Sequence, residues 1–250
     1  MDIVLSHVKK SYPDTPVFED LSLTFAQGGI HCVLGESGSG KTTLLHLIGG
    51  ITPCDAGTVE GAERVSCLFQ EERLLPNLTV LGNVEYVLSR FPRAERRTMA
   101  EQALRLAHIA EEGERYPGEL SGGMAQRVSM ARAFAYPSDV LLMDEPFHAL
   151  DLGLKLRLMR TLKETLRGDR RTVVFVTHDL DEALLLADEV FVFGKKPSGV
   201  TLHLELDPCE GLRDLSDPAM VDCKRRLTQC MLAQCEEGGG LSALPSDGAG

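Results

Sequence analysis

Gly35-Glu36-Ser37-Gly38-Ser39-Gly40-Lys41-Thr42-Thr43 is the stretch that decides the fold. It fits G-x-x-x-x-G-K-[ST], a glycine-rich turn built to hold phosphate. An apolar run, Ile30-His31-Cys32-Val33-Leu34, precedes it and reads as a short buried strand. Lys41 to Ile48 follows, with apolar residues at Leu44, Leu45, Leu47 and Ile48 in helical spacing. Gly35, Gly38 and Gly40 let the backbone curl until successive N–H groups point at one spot, and the helix adds its positive end. Lys41 is placed to reach the β- and γ-phosphates of a nucleotide, and the Thr42 hydroxyl to take one position on magnesium. Strand before and helix after are what separate such a loop from an ordinary turn.

The rest of the chain says which kind of nucleotide protein this is. Its 250 residues suffice for one large domain or a domain with an inserted subdomain. No run approaches the roughly 18 apolar residues of a membrane span. The N-terminus, MDIVLSHVKK, lacks a secretory pattern because its lysines follow the apolar residues, so a cytosolic protein is expected. The net charge of −11 argues against nucleic acid as a partner. Of the seven cysteines, Cys32 and Cys67 lie in apolar strand patterns and read as core. The spacing of Cys223, Cys230 and Cys235 is not that of a zinc site.

Strand patterns open the chain, at Ile3-Val4-Leu5 and Leu21 to Phe25, with a turn at Tyr12-Pro13-Asp14. A turn is expected over Pro53 to Gly57 and a strand over Arg64 to Phe69. Helical patterns then take over, at Val80 to Ser89, Ala94 to Ile109 and Gly122 to Ala135. Strands return at Val140 to Met143, Thr172 to Thr177 and Glu189 to Phe193, with a helix from Leu152 among them and a late edge strand at Val200 to Leu206. The alternation implies an α/β fold whose mostly parallel sheet is covered on both faces. Antiparallel strands form an N-terminal subdomain, and a helical subdomain is inserted over about 78–135. The Gly, Ser, Ala and Pro mix from Leu241 predicts disorder.

Val140-Leu141-Leu142-Met143-Asp144-Glu145 is an apolar strand ending in two carboxylates. In phosphate-loop enzymes the first supports magnesium, and the second, Glu145, can polarise the water that attacks the γ-phosphate. Leu120-Ser121-Gly122-Gly123-Met124-Ala125-Gln126-Arg127 opens a helix with a serine cap and two glycines, a second anion-ready N-terminus. With these motifs in this order, the chain resembles the ABC ATPases over about 1–230, its LSGGM standing where that family has LSGGQ.

The resemblance implies ATP and Mg²⁺ as cofactors and a role for each matched residue. Tyr12 stacks on adenine, Gly35 to Thr43 is the Walker A loop, and Gln70 is the Q-loop residue that meets magnesium beside Thr42 and Asp144. Ser121, Gly122 and Gly123 contact the γ-phosphate held by the opposite subunit of a head-to-tail dimer. Asp144 and Glu145 close Walker B, Ala149-Leu150-Asp151 is the D-loop, and His178 is the switch histidine. Lys41, Glu145 and His178 are the expected catalytic set. Two departures stand out: Met124 in place of glutamine, and His148 where relatives carry a small residue.

One phosphate loop and one signature per chain imply pairing, as a homodimer or with a paralogous subunit. The ATPase domain is expected over 1–235, with 236–250 as a flexible tail. Asp144-Glu145-Pro146-Phe147, the stretch Glu71 to Val80 and Arg213-Asp214-Leu215-Ser216 resemble the nitrate, sulfonate and taurine importer group. That likeness implies integral-membrane permease subunits, indirectly a solute-binding protein, and a peripheral place on the cytoplasmic face of the membrane. Leu74 to Leu81 is expected to present an exposed apolar edge to a permease helix. A soluble ABC-type switch and an exporter ATPase are the alternative readings.

Overall fold

A computed structural model describes residues 1–13, 15–166 and 171–238. Strands β1 (Ile3–Tyr12) and β2 (Thr15–Phe25) lead into β3 (Ile30–Leu34), helix α1 (Lys41–Ile48), β4 (Ala56–Glu60) and β5 (Val65–Leu68). Three helices follow: α2 (Val80–Val87), α3 (Arg93–Leu106) and α4 (Gly122–Ala135). The chain then runs through β6 (Val140–Asp144), α5 (Leu152–Leu166), β7 (Thr172–Thr177), α6 (Leu180–Leu186), β8 (Glu189–Phe193), β9 (Val200–Glu205) and α7 (Pro218–Gly238).

The strands divide between two sheets. The larger has the order β5-β6-β7-β3-β8-β9, parallel throughout except for β9, which closes the edge antiparallel to β8. Every residue of β3, β6 and β7 is buried, as a parallel strand covered on both faces requires. Alternate side chains enter different cores. Ile30, Cys32 and Leu34 join the cluster shared with α2 to α7, whereas Val33 joins the one shared with α1 and the smaller sheet. Asp144 is paired with Val176 across β6 and β7, and Leu34 with Thr177 across β3 and β7. The register therefore brings the carboxyl ends of three strands to one edge, the crevice where open α/β sheets place ligands.

The smaller sheet has the antiparallel order β2-β1-β4. Strand β4 replaces the latter part of the turn expected over Pro53 to Gly57. Its only partly buried residue is Val59, so no alternation betrays it in the sequence. Backbone pairing with β1 holds it, and Gly57 is required there: φ is +84°, and a Cβ would lie 2.3 Å from the His7 carbonyl.

Helices α2, α3 and α4 pack on one another. The expected exposed edge over Leu74 to Leu81 is corrected by this packing: Val80 and Leu81 are buried, and Leu74 is half-buried against the same core. Asn83 fastens the segment, its amide accepting from Leu75 N–H and donating to the Leu75, Leu78 and Thr79 carbonyls. Helix α7 docks on α6 and β9 through the buried Met220 and Leu227, and it continues to Gly238, three residues into the expected tail. The mix from Leu241 lies outside the described residues. Among those residues, no helix is long and apolar enough to cross a membrane.

Arg213, in a segment singled out by resemblance, has a structural post. Its buried guanidinium donates to the carbonyls of Leu184 (3.2 Å), Ala187 (2.6 Å) and Asp207 (2.9 Å). It thus satisfies the C-terminal end of α6, where orphan carbonyls need donors. Arg213→Ala is expected to destabilise the protein by about 2 kcal/mol. In a thermal melt that is a fall of about 4–8 °C, and an unchanged melting temperature would refute the capping role.

Candidate nucleotide site

The turn between β3 and α1 is built around left-handed glycines. Gly38 and Gly40 have φ of +82° and +95°, and a Cβ on Gly40 would lie 2.8 Å from Val17 Cγ1. Gly40 is also the N-cap of α1 and supplies no side-chain acceptor to its first turn. A ligand oxygen can take those N–H groups. Lys41 reaches back over the turn, donating to the carbonyls of Gly35 (2.6 Å) and Glu36 (2.9 Å). Burial pushes its ammonium below the usual lysine range, against the pull of Glu145 and Asp144. Thr42 Oγ1 donates to Asp144 Oδ2 at 2.7 Å. Burial raises the Asp144 carboxyl, the Thr42 bond opposes that, and the neighbouring charge of Glu145 adds to it.

A cleft of about 370 Å³ opens above the turn. Ser37, Gly38, Gly40, Lys41, Thr42 and Thr43 line one side, and Gln70, Asp144, Glu145 and His178 come from the strand ends. Gly35, Glu36 and the buried Ser39 belong to the turn but do not line the cleft. Glu145 sits at φ +48°, a strained region for a residue with a side chain, held by its N–H bond to Val176 O at 3.0 Å. Its carboxylate, 13% exposed, meets His178 Nδ1 at 2.9 Å and Thr177 Oγ1 at 3.3 Å. The imidazole of His178 is 67% exposed to the cleft. Thr42 and Asp144, bonded to each other, and Gln70 on the same cleft offer hard oxygen donors, a set that fits magnesium.

Five predicted residues stand apart from this cleft. Tyr12 is 42% exposed, with Lys10 Nζ 5.6 Å from its ring centroid. Ser121 and Gly122 are exposed at the start of α4, where Ser121 Oγ accepts from Met124 N–H. Gly123 lies against the segment before α5: a Cβ on it would be 3.2 Å from the Ala149 carbonyl. Asp151 caps α5, accepting from Leu154 N–H at 3.0 Å. Within one chain, then, the serine-glycine motif lies beside the Ala149-Leu150-Asp151 segment, and neither lines the cleft. Met124 packs half-buried on the core, and His148 lines the cleft, its Nδ1 3.4 Å from the Glu145 carbonyl.

Sequence reasoning missed two neighbours of the site. Gln126 is buried in α4 and donates to the carbonyls of Pro146 (2.8 Å) and Glu145 (3.3 Å), tying the helix to the end of β6. Lys196 enters the cleft from the loop after β8. That loop is pinned to the phosphate turn, Ser198 bonding through its N–H to Val17 O and through its hydroxyl to Ser39 O. No local pattern reveals either contact, because each residue gains its place from partners distant in sequence.

Gly40→Ala tests the turn. A methyl there strains φ and presses on Val17, at a cost of about 1–3 kcal/mol. Chemical denaturation should show the loss together with weakened ATP binding; an alanine variant as stable as the parent would contradict the left-handed turn at this position.

Comparison with known proteins bears on the family and the fold. The family model described as ABC transporter matches residues 18–148. The taurine import ATP-binding protein TauB of Pseudomonas putida is 37% identical, over 92% of this chain and 95% of its own. The aliphatic sulfonates import ATP-binding protein SsuB 2 of Burkholderia cenocepacia is also 37% identical, over 88% of this chain and 83% of its own. A bacterial ABC transporter cassette solved as a dimer superposes with a TM-score of 0.77 at 29% identity, over 83% of this chain and 100% of that one. The same cassette has been solved as a dimer in a post-hydrolysis state bound to ADP and Pi, with the same TM-score.

Proposed function

This chain belongs to the ABC transporter family, and from that premise we propose that it is the ATP-hydrolysing subunit of an importer for a small sulfonate-like anion. The relatives named for taurine and aliphatic sulfonates support the solute class. With no membrane-crossing helix among the described residues, the path for the solute belongs to separate permease subunits, fed by a solute-binding protein. The ATPase then works from the cytoplasmic face of the membrane, and nucleic acid has no part in it.

The observation that carries the mechanism is the Glu145–His178 contact at 2.9 Å in the cleft that also holds Lys41. Glu145 accepts a proton from the attacking water, and His178 holds its carboxylate in line. Lys41 exchanges its loop carbonyls for the β- and γ-phosphates, and the N–H groups of residues 38–43 hold the remaining oxygens. The products are ADP and inorganic phosphate. Thr42, Asp144 and Gln70 would hold magnesium, which when bound would neutralise phosphate charge. Tyr12 stacks on the adenine.

Ser121, Gly122 and Gly123 complete the site of a second subunit, with Asp151 at the same interface. The exposure of Ser121, Gly122 and Asp151, with all four residues outside the lining of their own cleft, supports action across a dimer, whose partner is a second copy or a paralogue. The helical segment over about 78–135 presents this surface, so ATP draws two subunits together and hydrolysis releases them.

Glu145→Gln is expected to retain ATP binding, lose hydrolysis by about a hundredfold or more, and remain as an ATP-dependent dimer in light scattering. Hydrolysis at the parent rate would remove Glu145 as the base. Lys196→Gln is expected to raise KM for ATP about two- to fivefold with kcat unchanged, as loss of a rim charge does; an unchanged KM would place Lys196 off the nucleotide.

A further inference from the structure

A charged cluster lies directly behind Glu145 and does not line the cleft. Lys155, one turn into α5, is 17% exposed, and its ammonium meets Glu182 Oε1 at 2.6 Å and Asp179 Oδ2 at 2.9 Å. Glu182, 3% exposed at its side chain, accepts from Thr177 Oγ1 through its other oxygen at 2.7 Å. Asp179 caps α6, accepting from the N–H groups of Asp181 and Glu182, and its own N–H donates to Thr177 Oγ1 at 3.1 Å. Thr177 and Asp179 flank His178. The cluster therefore joins the helix that starts beside Asp151 to the strand end that carries the imidazole.

Thr177 decides what this means for Glu145. Its hydroxyl has a single proton and two carboxylates within reach, Glu182 at 2.7 Å and Glu145 at 3.3 Å. A charged acceptor takes the shorter, stronger bond. We infer that Lys155 is a positioning residue for Glu145: by keeping a negative charge on the buried Glu182, it commits the Thr177 proton to that side and leaves Glu145 Oε2 an open acceptor for water. Burial holds the Glu182 carboxyl above its usual range, and the bonds from Lys155 and Thr177 limit that rise. Burial also weighs against the Lys155 charge, but its bonds to Glu182 and Asp179 outweigh it and hold the ammonium above the usual lysine range. Without Lys155, Glu182 loses the ion pair at 2.6 Å that opposes its burial, its hold on the hydroxyl weakens, and Thr177 turns to Glu145. Glu145 Oε1 already faces His178, so a hydroxyl on Oε2 would occupy the oxygen left for water.

The inference rests on Glu145 acting as the base, and the experiment separates the two. Steady-state kcat and KM for ATP are measured for the parent, Lys155→Met, Lys155→Arg, Thr177→Val and the Lys155→Met/Thr177→Val double variant. Lys155→Met is expected to lower kcat about tenfold at an unchanged KM, and Lys155→Arg to restore most of it. With valine at 177 the hydroxyl is gone, so Lys155→Met should then cost less than about twofold, the non-additivity of residues acting through one another. A purely structural role predicts instead the same loss in both backgrounds, and that result would overturn the relay. So would a Lys155→Met protein as active as the parent. If Lys155→Met does not fold, Glu182→Gln keeps the shape without the charge: a lowered kcat supports the relay, and the parent kcat overturns it. A parent without ATPase activity, or a fully active Glu145→Gln, would sink the underlying reading as well.

Discussion

Asp144 is a carboxylate that the parallel sheet buries at the end of β6, and the Thr42 hydroxyl at 2.7 Å makes that burial tolerable. This one hydrogen bond joins residues 102 apart and fastens α1, and with it the phosphate turn, to the neighbouring strand end. Its geometry follows from the sheet. Because β3, β6 and β7 run side by side in fixed register, the residues that follow each strand emerge along one edge. Charges that would be expensive inside a core collect there, where they have partners and water.

The same edge explains the density of mutual constraint around Glu145. Its backbone is held at positive φ by Val176, its carbonyl by Gln126, and its carboxylate by His178. Strain of this sort persists only when the surroundings over-determine it. Here β7, α4 and the turn between β7 and α6 each supply one restraint. A residue so fixed loses little further freedom when substrate arrives, which is the structural content of preorganisation.

Features with local signatures were legible in the residues. The phosphate turn, the strand ending in Asp144 and Glu145, and the serine cap of α4 each combine chemistry and periodicity within ten residues or so, and the fold contains those elements. Strand β4 was hidden because it is held by backbone pairing and buries only part of Val59. The stretch Leu74 to Leu81 misled because apolar residues look alike whether a partner or the chain's own helices cover them. Lys155 and Lys196 carried no signal at all, and Gln126, though inside the quoted serine-glycine motif, carried none for the carbonyls it holds. A lysine or glutamine on a helix or loop reads as solvated surface until the fold sets a carboxylate, a carbonyl or a cleft beside it.

Lys41 donates to two carbonyls of its own turn, so in the proposed binding mode it trades those partners for phosphate oxygens rather than gaining new ones. The turn is consequently shaped before nucleotide arrives, and little ordering entropy opposes the encounter. The trade also makes the lysine a gauge of chain length. A phosphate chain that reaches both carbonyl positions would take the ammonium from them, whereas one that stops short would leave it bonded to its own turn. Discrimination between fuel and its shorter relatives then resides in the displaced hydrogen bonds as much as in the contacts that replace them.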